Sequence, residues 1–166
     1  MTLFVSGCTN HCENCFQPKT WDFYYGKPFT NEVSDYILDL LLPDYISGLT
    51  LLGGEPFEPK NQRALLPLLQ KVKERYPEKN VWAFSGFTIE ELINPGAYCH
   101  TNITKDMLSM IDVLVDGRYI DHLRDISLRF RGSSNQRLID VQKTMHTGIL
   151  STLEDDIKYN EKRFAK

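Results

Sequence analysis

The chain has 166 residues, a net charge of −3 and a pI near 5.8, a size that suits a single domain with its own core. Four cysteines are too few for a secreted disulfide scaffold, and the mild acidity argues against non-specific binding to nucleic acid. No apolar run approaches roughly 18 residues and no basic-apolar leader is visible, so neither a membrane span nor a signal peptide is expected. The cytoplasm, where free thiols stay reduced, is the expected compartment.

Short β-rich runs alternate with helical stretches, the pattern of an α/β fold with a mainly parallel sheet. A first strand, Leu3 to Ser6, leads into a long loop from Gly7 to Phe29 that carries Phe16, Trp21, Phe23, Tyr24 and Tyr25. Loops of that length are usually functional, and these aromatics suit either a partner or the core. Thr30 is placed to cap a helix whose apolar face is Val33, Tyr36, Ile37, Leu40 and Leu41, ending before Pro43. A second strand, Leu49 to Leu52, runs into Gly53-Gly54-Glu55-Pro56. The next helix is expected over Gln62 to Arg75, where Pro67 fits poorly beyond the first turn.

A third strand, Val81 to Phe84, ends at Ser85-Gly86; Thr88 and Glu91 then have the spacing of a capping box. A helix near Lys105 to Met110 precedes the strand Asp112 to Val115, which ends at Asp116-Gly117-Arg118. Arg137 to Val141 reads as a last strand, and residues 142–166 as a polar C-terminal tail, helical and frayed or disordered. The cysteine loop, the Gly-Gly-Glu turn, Ser85-Gly86 and Asp116-Gly117 all follow strand C-termini. In α/β sheets and barrels that edge binds ligands.

Cys8, Cys12 and Cys15 form a C-x3-C-x2-C triplet directly after the first strand. Three thiolates can hold three irons of a [4Fe-4S] cube and leave the fourth iron open for chemistry. The same triplet can instead hold zinc with Cys99 or His100 as fourth ligand, although structural zinc sites favour paired knuckles. His11 reads most simply as a loop histidine. The turn Gly53-Gly54-Glu55 offers carbonyls and a carboxylate, all acceptors, to a ligand ammonium group; as a lone motif it is equally an ordinary turn with an exposed glutamate. Ser85 can donate to a carboxylate or a ribose hydroxyl, or can simply end its strand.

The triplet together with the Gly-Gly-Glu turn resembles the cofactor motifs of the radical S-adenosylmethionine (SAM) superfamily. The segments Leu3-Phe-Val-Ser-Gly-Cys8, Val113-Leu-Val-Asp-Gly-Arg118 and Phe130-Arg-Gly-Ser-Ser-Asn-Gln-Arg-Leu-Ile-Asp140 resemble the activating proteins of anaerobic (class III) ribonucleoside-triphosphate reductases, from about Thr2 to Val141. That resemblance implies a partial (β/α) barrel of the radical SAM type over residues 1–141, with Cys8, Cys12 and Cys15 on the cluster. It implies Gly53, Gly54 and Glu55 at the amino group of SAM, and Asp116 and Arg118 along the cofactor or substrate channel. Reductive cleavage of SAM would give a 5'-deoxyadenosyl radical, which abstracts hydrogen from a glycine of the partner reductase. The electron would come from a low-potential donor such as flavodoxin.

Two departures stand out. Family members carry a strand-bearing leader before the Leu-Phe-Val-Ser-Gly run, which here begins at Met1, so an uncovered sheet edge is expected. The position before the third cysteine, often aromatic, is Asn14. Two other readings stay open: an activase of a formate-lyase-type glycyl radical enzyme, and a non-catalytic zinc-binding adaptor.

Overall fold

The computed structural model describes residues 1–153. Five strands lie in chain order across one sheet: β1 (Thr2–Val5), β2 (Gly48–Gly53), β3 (Asn80–Phe84), β4 (Val113–Asp116) and β5 (Arg137–Asp140). The first four are mutually parallel and β5 returns antiparallel to β4, in the register Val113 opposite Asp140 to Asp116 opposite Arg137. Parallel neighbours need crossover connections, and the right-handed rule sends successive crossovers to the same face. The helices α1 (Asn31–Leu41), α2 (Pro59–Arg75), α3 (Ile89–Ile93) and α4 (Thr104–Ser109) occupy those connections, and α5 (Val141–Thr147) follows β5.

Strand alternation decides what each face does. Leu49, Leu51, Val81, Ala83, Leu114 and Ile139 point one way and pack against Leu38 and Leu41 of α1, Leu65, Leu69 and Val72 of α2, and Met107 and Leu108 of α4. The opposite face is open over β1 to β3, where Phe4, Thr50, Leu52, Trp82 and Phe84 are unburied and Phe4, on the edge strand, is 58% exposed; over β4 and β5 the same face carries the buried Val113, Val115 and Leu138. The architecture is therefore a mixed α/β arrangement with a mostly parallel five-stranded sheet whose second face is open over β1 to β3.

Local signals account for the element ends. The Thr30 side chain accepts from the Val33 N–H, and Thr88 and Glu91 form a complete capping box at α3. α2 departs from expectation: it starts at Pro59 rather than near Gln62, so Pro67 lies well inside it. Proline at the first helical position costs nothing, since that N–H is unpaired in any helix. Pro67 is exposed, and so is Arg63 four residues before it, so the carbonyl that loses its N–H partner is on the solvent side. Val141, expected to end the last strand, instead opens α5, which takes residues 142–147 of the expected tail and which Gly148 ends at φ 69°; Leu153 donates to the Leu138 carbonyl beside β5. Residues 154–166 of that tail lie outside the described residues.

Candidate metal centre

Because β1 to β4 run parallel, their C-terminal ends share one edge, and the loops named from the sequence meet there. Gly54 N–H donates to the Val5 carbonyl and Glu55 N–H to the Gly7 carbonyl, so the β1–β2 pairing continues into both loops. Glycine is required at this seam. Gly53 holds φ 110°, and a Cβ on Gly54 would lie 2.6 Å from the Gly7 carbonyl oxygen. Asn61 of α2 ties the same seam, donating to the carbonyls of Ser6 (2.9 Å) and Glu55 (2.8 Å).

The cysteine loop leaves β1 and is closed by Gly7 N–H to the Thr20 carbonyl and Cys8 N–H to the Trp21 carbonyl. His11 and Asn14 take left-handed backbone conformations (φ 44° and 54°). His11 stacks on Trp21 at 4.6 Å, and the Asn14 amide donates to Asp121 (2.9 Å). Trp21 and Phe23 pack inward, whereas Phe16, Tyr24, Tyr25 and Phe29 are exposed. Cys8 is buried, Cys12 and Cys15 are half-buried, and all three are free thiols. Burial pushes the Cys8 thiol up to about 11, opposed by the Asn10 N–H, and burial also raises Cys12. Metal binding must therefore displace protons from both. The backbone at Tyr119 opposes the rise at Cys12, and the Asn14–Asp121 bond links this loop to the segment after β4.

Glu55 is the hub of the edge. It is 1% exposed and accepts from Phe57 N–H (2.9 Å), Ser85 Oγ (2.9 Å), Gly86 N–H (2.7 Å) and Asn10 Nδ2 (3.1 Å). Those bonds join the cysteine loop, the Gly-Gly-Glu turn and the end of β3. Burial nonetheless pushes its carboxyl up to about 7, the Phe57, Gly86 and Ser85 donors pulling the other way. Ser85 is spent between Glu55 and the Phe87 N–H.

Asp116 is fully buried and sits at the same edge, where its oxygens take Arg137 (2.9 and 2.6 Å) and the Ile89 N–H (2.8 Å). Arg118 pairs with Glu91 (3.1 Å) and lies over the Phe87 ring. The segment from Arg131 to Arg137 clamps this turn: Gln136 Nε2 donates to the Gly117 carbonyl and Asn135 Nδ2 to the Arg118 carbonyl, both at 2.9 Å. Cys99, offered above as a zinc ligand, is 1% exposed within the hydrophobic core, and His100 Nδ1 bonds the Leu92 carbonyl.

The donor set suits an iron–sulfur cluster. Three thiols with no carboxylate or imidazole among them are soft ligands. Among the described residues no three His, Cys, Asp or Glu side chains close on one ion. Beside the thiols the Asn10 amide oxygen is buried without a donor among the described residues, its Nδ2 being committed to Glu55.

Some residues at this edge carry no sequence signal. Asn10, Asn61 and Glu58 act through pairings 45 to 55 residues apart. For Glu58 the one local hint is the Pro59 that follows it and marks a helix start.

A mostly parallel α/β sheet with a three-thiol loop at its ligand-binding edge is the frame of a single-cluster iron–sulfur protein, and the 4Fe-4S single cluster domain family matches residues 1–139. Relatives are 41% identical in Pasteurella multocida (137 residues, 81% of this chain and 83% of the relative) and 37% identical in Escherichia coli K12 (81% and 84%). One in Enterobacteria phage T4 is 37% identical over 138 residues (83% and 81%). All three are named anaerobic ribonucleoside-triphosphate reductase-activating protein, and the chain belongs to that family. No solved structure matches it.

Proposed function

We propose that this chain is the radical SAM activase of an anaerobic ribonucleoside-triphosphate reductase, with Cys8, Cys12 and Cys15 each on one iron of a [4Fe-4S] cluster. The observation that carries the reading is identity of 37–41% to activating proteins over four-fifths of both chains, with the cysteine triplet and Gly-Gly-Glu turn inside the matched region. Sequential parallel strands with an open face are consistent with a partial (β/α) barrel of the radical SAM type, and residues 1–141 are its catalytic domain. Cys8, Cys12 and Cys15 would hold the cluster, which when bound would supply the electron for reductive cleavage of SAM and so for hydrogen abstraction from a glycine of the partner.

The protein's own work is binding and exclusion. Gly53 and Gly54 let the backbone approach the SAM amino group, and the Asn10 oxygen offers it an acceptor. Glu55 acts from beneath, fixing Asn10, Ser85 and Gly86 relative to one another. Asp116 shapes the same edge through Arg137. The open sheet face receives the partner's glycine segment, and closure of that face by the partner excludes water and oxygen. A low-potential donor such as flavodoxin supplies the electron, and the compartment is the cytoplasm. Among the described residues no helix is long and apolar enough to cross a membrane.

The test is anaerobic incubation of the reconstituted, reduced protein with SAM and the reductase. A glycyl radical on the reductase with formation of 5'-deoxyadenosine is expected, and neither with Cys12→Ala. Radical formation only on a formate-lyase-type enzyme would contradict the partner assignment. Full SAM cleavage by Cys12→Ala would contradict the cluster assignment.

A further inference from the structure

Glu58 belongs to none of the motifs discussed so far, yet its side chain is fully buried beside the cysteine loop. It is the N-cap of α2, but its side chain caps nothing in that helix. One carboxylate oxygen instead takes both the Thr9 N–H (2.7 Å) and the Thr9 hydroxyl (2.6 Å), and the other takes the Tyr98 hydroxyl (2.8 Å). Two of its three bonds therefore end on the residue next to Cys8. The helix N-terminus and those donors offset the burial of a charge that an apolar side chain in the same space would not carry.

The alternative anchors of this loop do less at that point. Asn10 reaches Glu55 through one bond, and Cys8 is held by its own N–H to Trp21. Thr9 is itself exposed, and among the described residues Glu58 is the partner that holds its backbone N–H. Residues behind a metal ligand set its direction and its readiness to leave.

We propose that Glu58 is a positioning residue for the cluster: through Thr9 it fixes the backbone that carries Cys8, with Tyr98 holding the carboxylate in place. This rests on the reading that Cys8 is a cluster ligand. The conservative change Glu58→Gln keeps the arrangement, because an amide oxygen still accepts from Thr9 and its NH2 can donate to the Tyr98 oxygen. Glu58→Ala removes it, and Thr9→Val removes the hydroxyl bond at an exposed position that leaves the core untouched.

The experiment uses the full chain, reconstituted anaerobically with iron and sulfide. It follows iron loss to a chelator and the electron paramagnetic resonance spectrum of the reduced cluster, with apo-protein melting temperature as the fold control. Glu58→Ala should release iron roughly 10- to 100-fold faster than wild type with a broadened spectrum, and Thr9→Val should lie between them. Glu58→Gln should stay within about threefold of wild type, as a retained hydrogen-bond pattern predicts. If Glu58→Ala does not fold, Thr9→Val decides. Wild-type retention and spectrum in a folded Glu58→Ala or Thr9→Val protein would overturn the role of Glu58 and leave the cysteine assignment standing. A wild-type chain that takes up no cluster, or triplet variants that keep it, would overturn the cysteine assignment itself and this inference with it.

Discussion

Removing the Arg137 guanidinium isolates the energetics of the β4–β5 end. Arg137→Met deletes two bonds of 2.9 and 2.6 Å to Asp116, which is 0% exposed, and two of 3.0 and 2.6 Å to Glu90. The Glu90 pair is largely exposed and contributes little, about 0–1 kcal/mol. The Asp116 pair is different, because among the described residues only the Ile89 N–H would remain to hold a buried carboxylate. Stranding one partner of a buried pair costs about 3–5 kcal/mol; with the Arg137 side chain itself 28% exposed, water can reach part of the gap and the lower figure applies. At about 2–4 °C per kcal/mol for a chain of this size, the melting temperature should fall by roughly 6–12 °C. Asp116→Leu in the same chain should recover much of that loss, since an apolar pair avoids the stranded charge. Thermal unfolding of the apo-protein followed by circular dichroism reads both. A single variant within about 2 °C of wild type, or a double variant less stable than the single one, would refute the reasoning.

Glu55 makes a prediction about pH. Burial raises its carboxyl from 4.5 to about 7, so between those values the folded apo-protein keeps a proton that the unfolded chain has lost. Stability from this group is complete below about pH 4.5 and falls by roughly 3 kcal/mol as pH rises to 7, at 1.36 kcal/mol per pH unit. Denaturant midpoints at pH 5 and pH 8 should show that decline in wild type, and Glu55→Gln should flatten it; equal slopes in the two proteins would count against it. Gly54→Ala drives a methyl group against the Gly7 and Thr20 carbonyls, at 2.6 and 3.0 Å. It should cost about 1–3 kcal/mol in urea titration and lower the iron bound per chain on reconstitution. Thr88→Ala removes half of the α3 capping box and should cost about 1 kcal/mol in the same titration without changing the iron bound.

The strands were legible because alternation and β-branched content are local: every expected strand appears within a residue or so of its reading. The caps at Thr30 and Thr88 were legible for the same reason, each depending on a residue three positions away. The start of α2 was not, because Pro67 reads as a helix breaker unless its exposed position is known, and exposure is a property of the packed sheet. The antiparallel return of β5 follows from the loop after Asp116, whose clamp by Asn135 and Gln136 is invisible without the fold.

At the site, the spacing of Cys8, Cys12 and Cys15 marked the loop, and the position of Gly53 to Glu55 after a strand marked its neighbour. What the sequence withheld was the direction of the acidic side chains. Glu55 turns inward to four donors and Asp116 inward to Arg137 and Ile89 N–H, which partner geometry alone decides. Glu58 and Asn10 were missed because their chemistry lies in contacts between segments distant in the chain.

The proposed chemistry requires that the three thiols hold one four-iron cluster with an open iron. Anaerobic reconstitution, with iron and sulfide counted per chain and electron paramagnetic resonance recorded on the reduced protein with and without SAM, tests it most directly. One four-iron cluster per chain is expected, lost in each of Cys8→Ala, Cys12→Ala and Cys15→Ala, with a signal that changes when SAM is added. Stoichiometric zinc without iron, or a cluster signal indifferent to SAM, would contradict it.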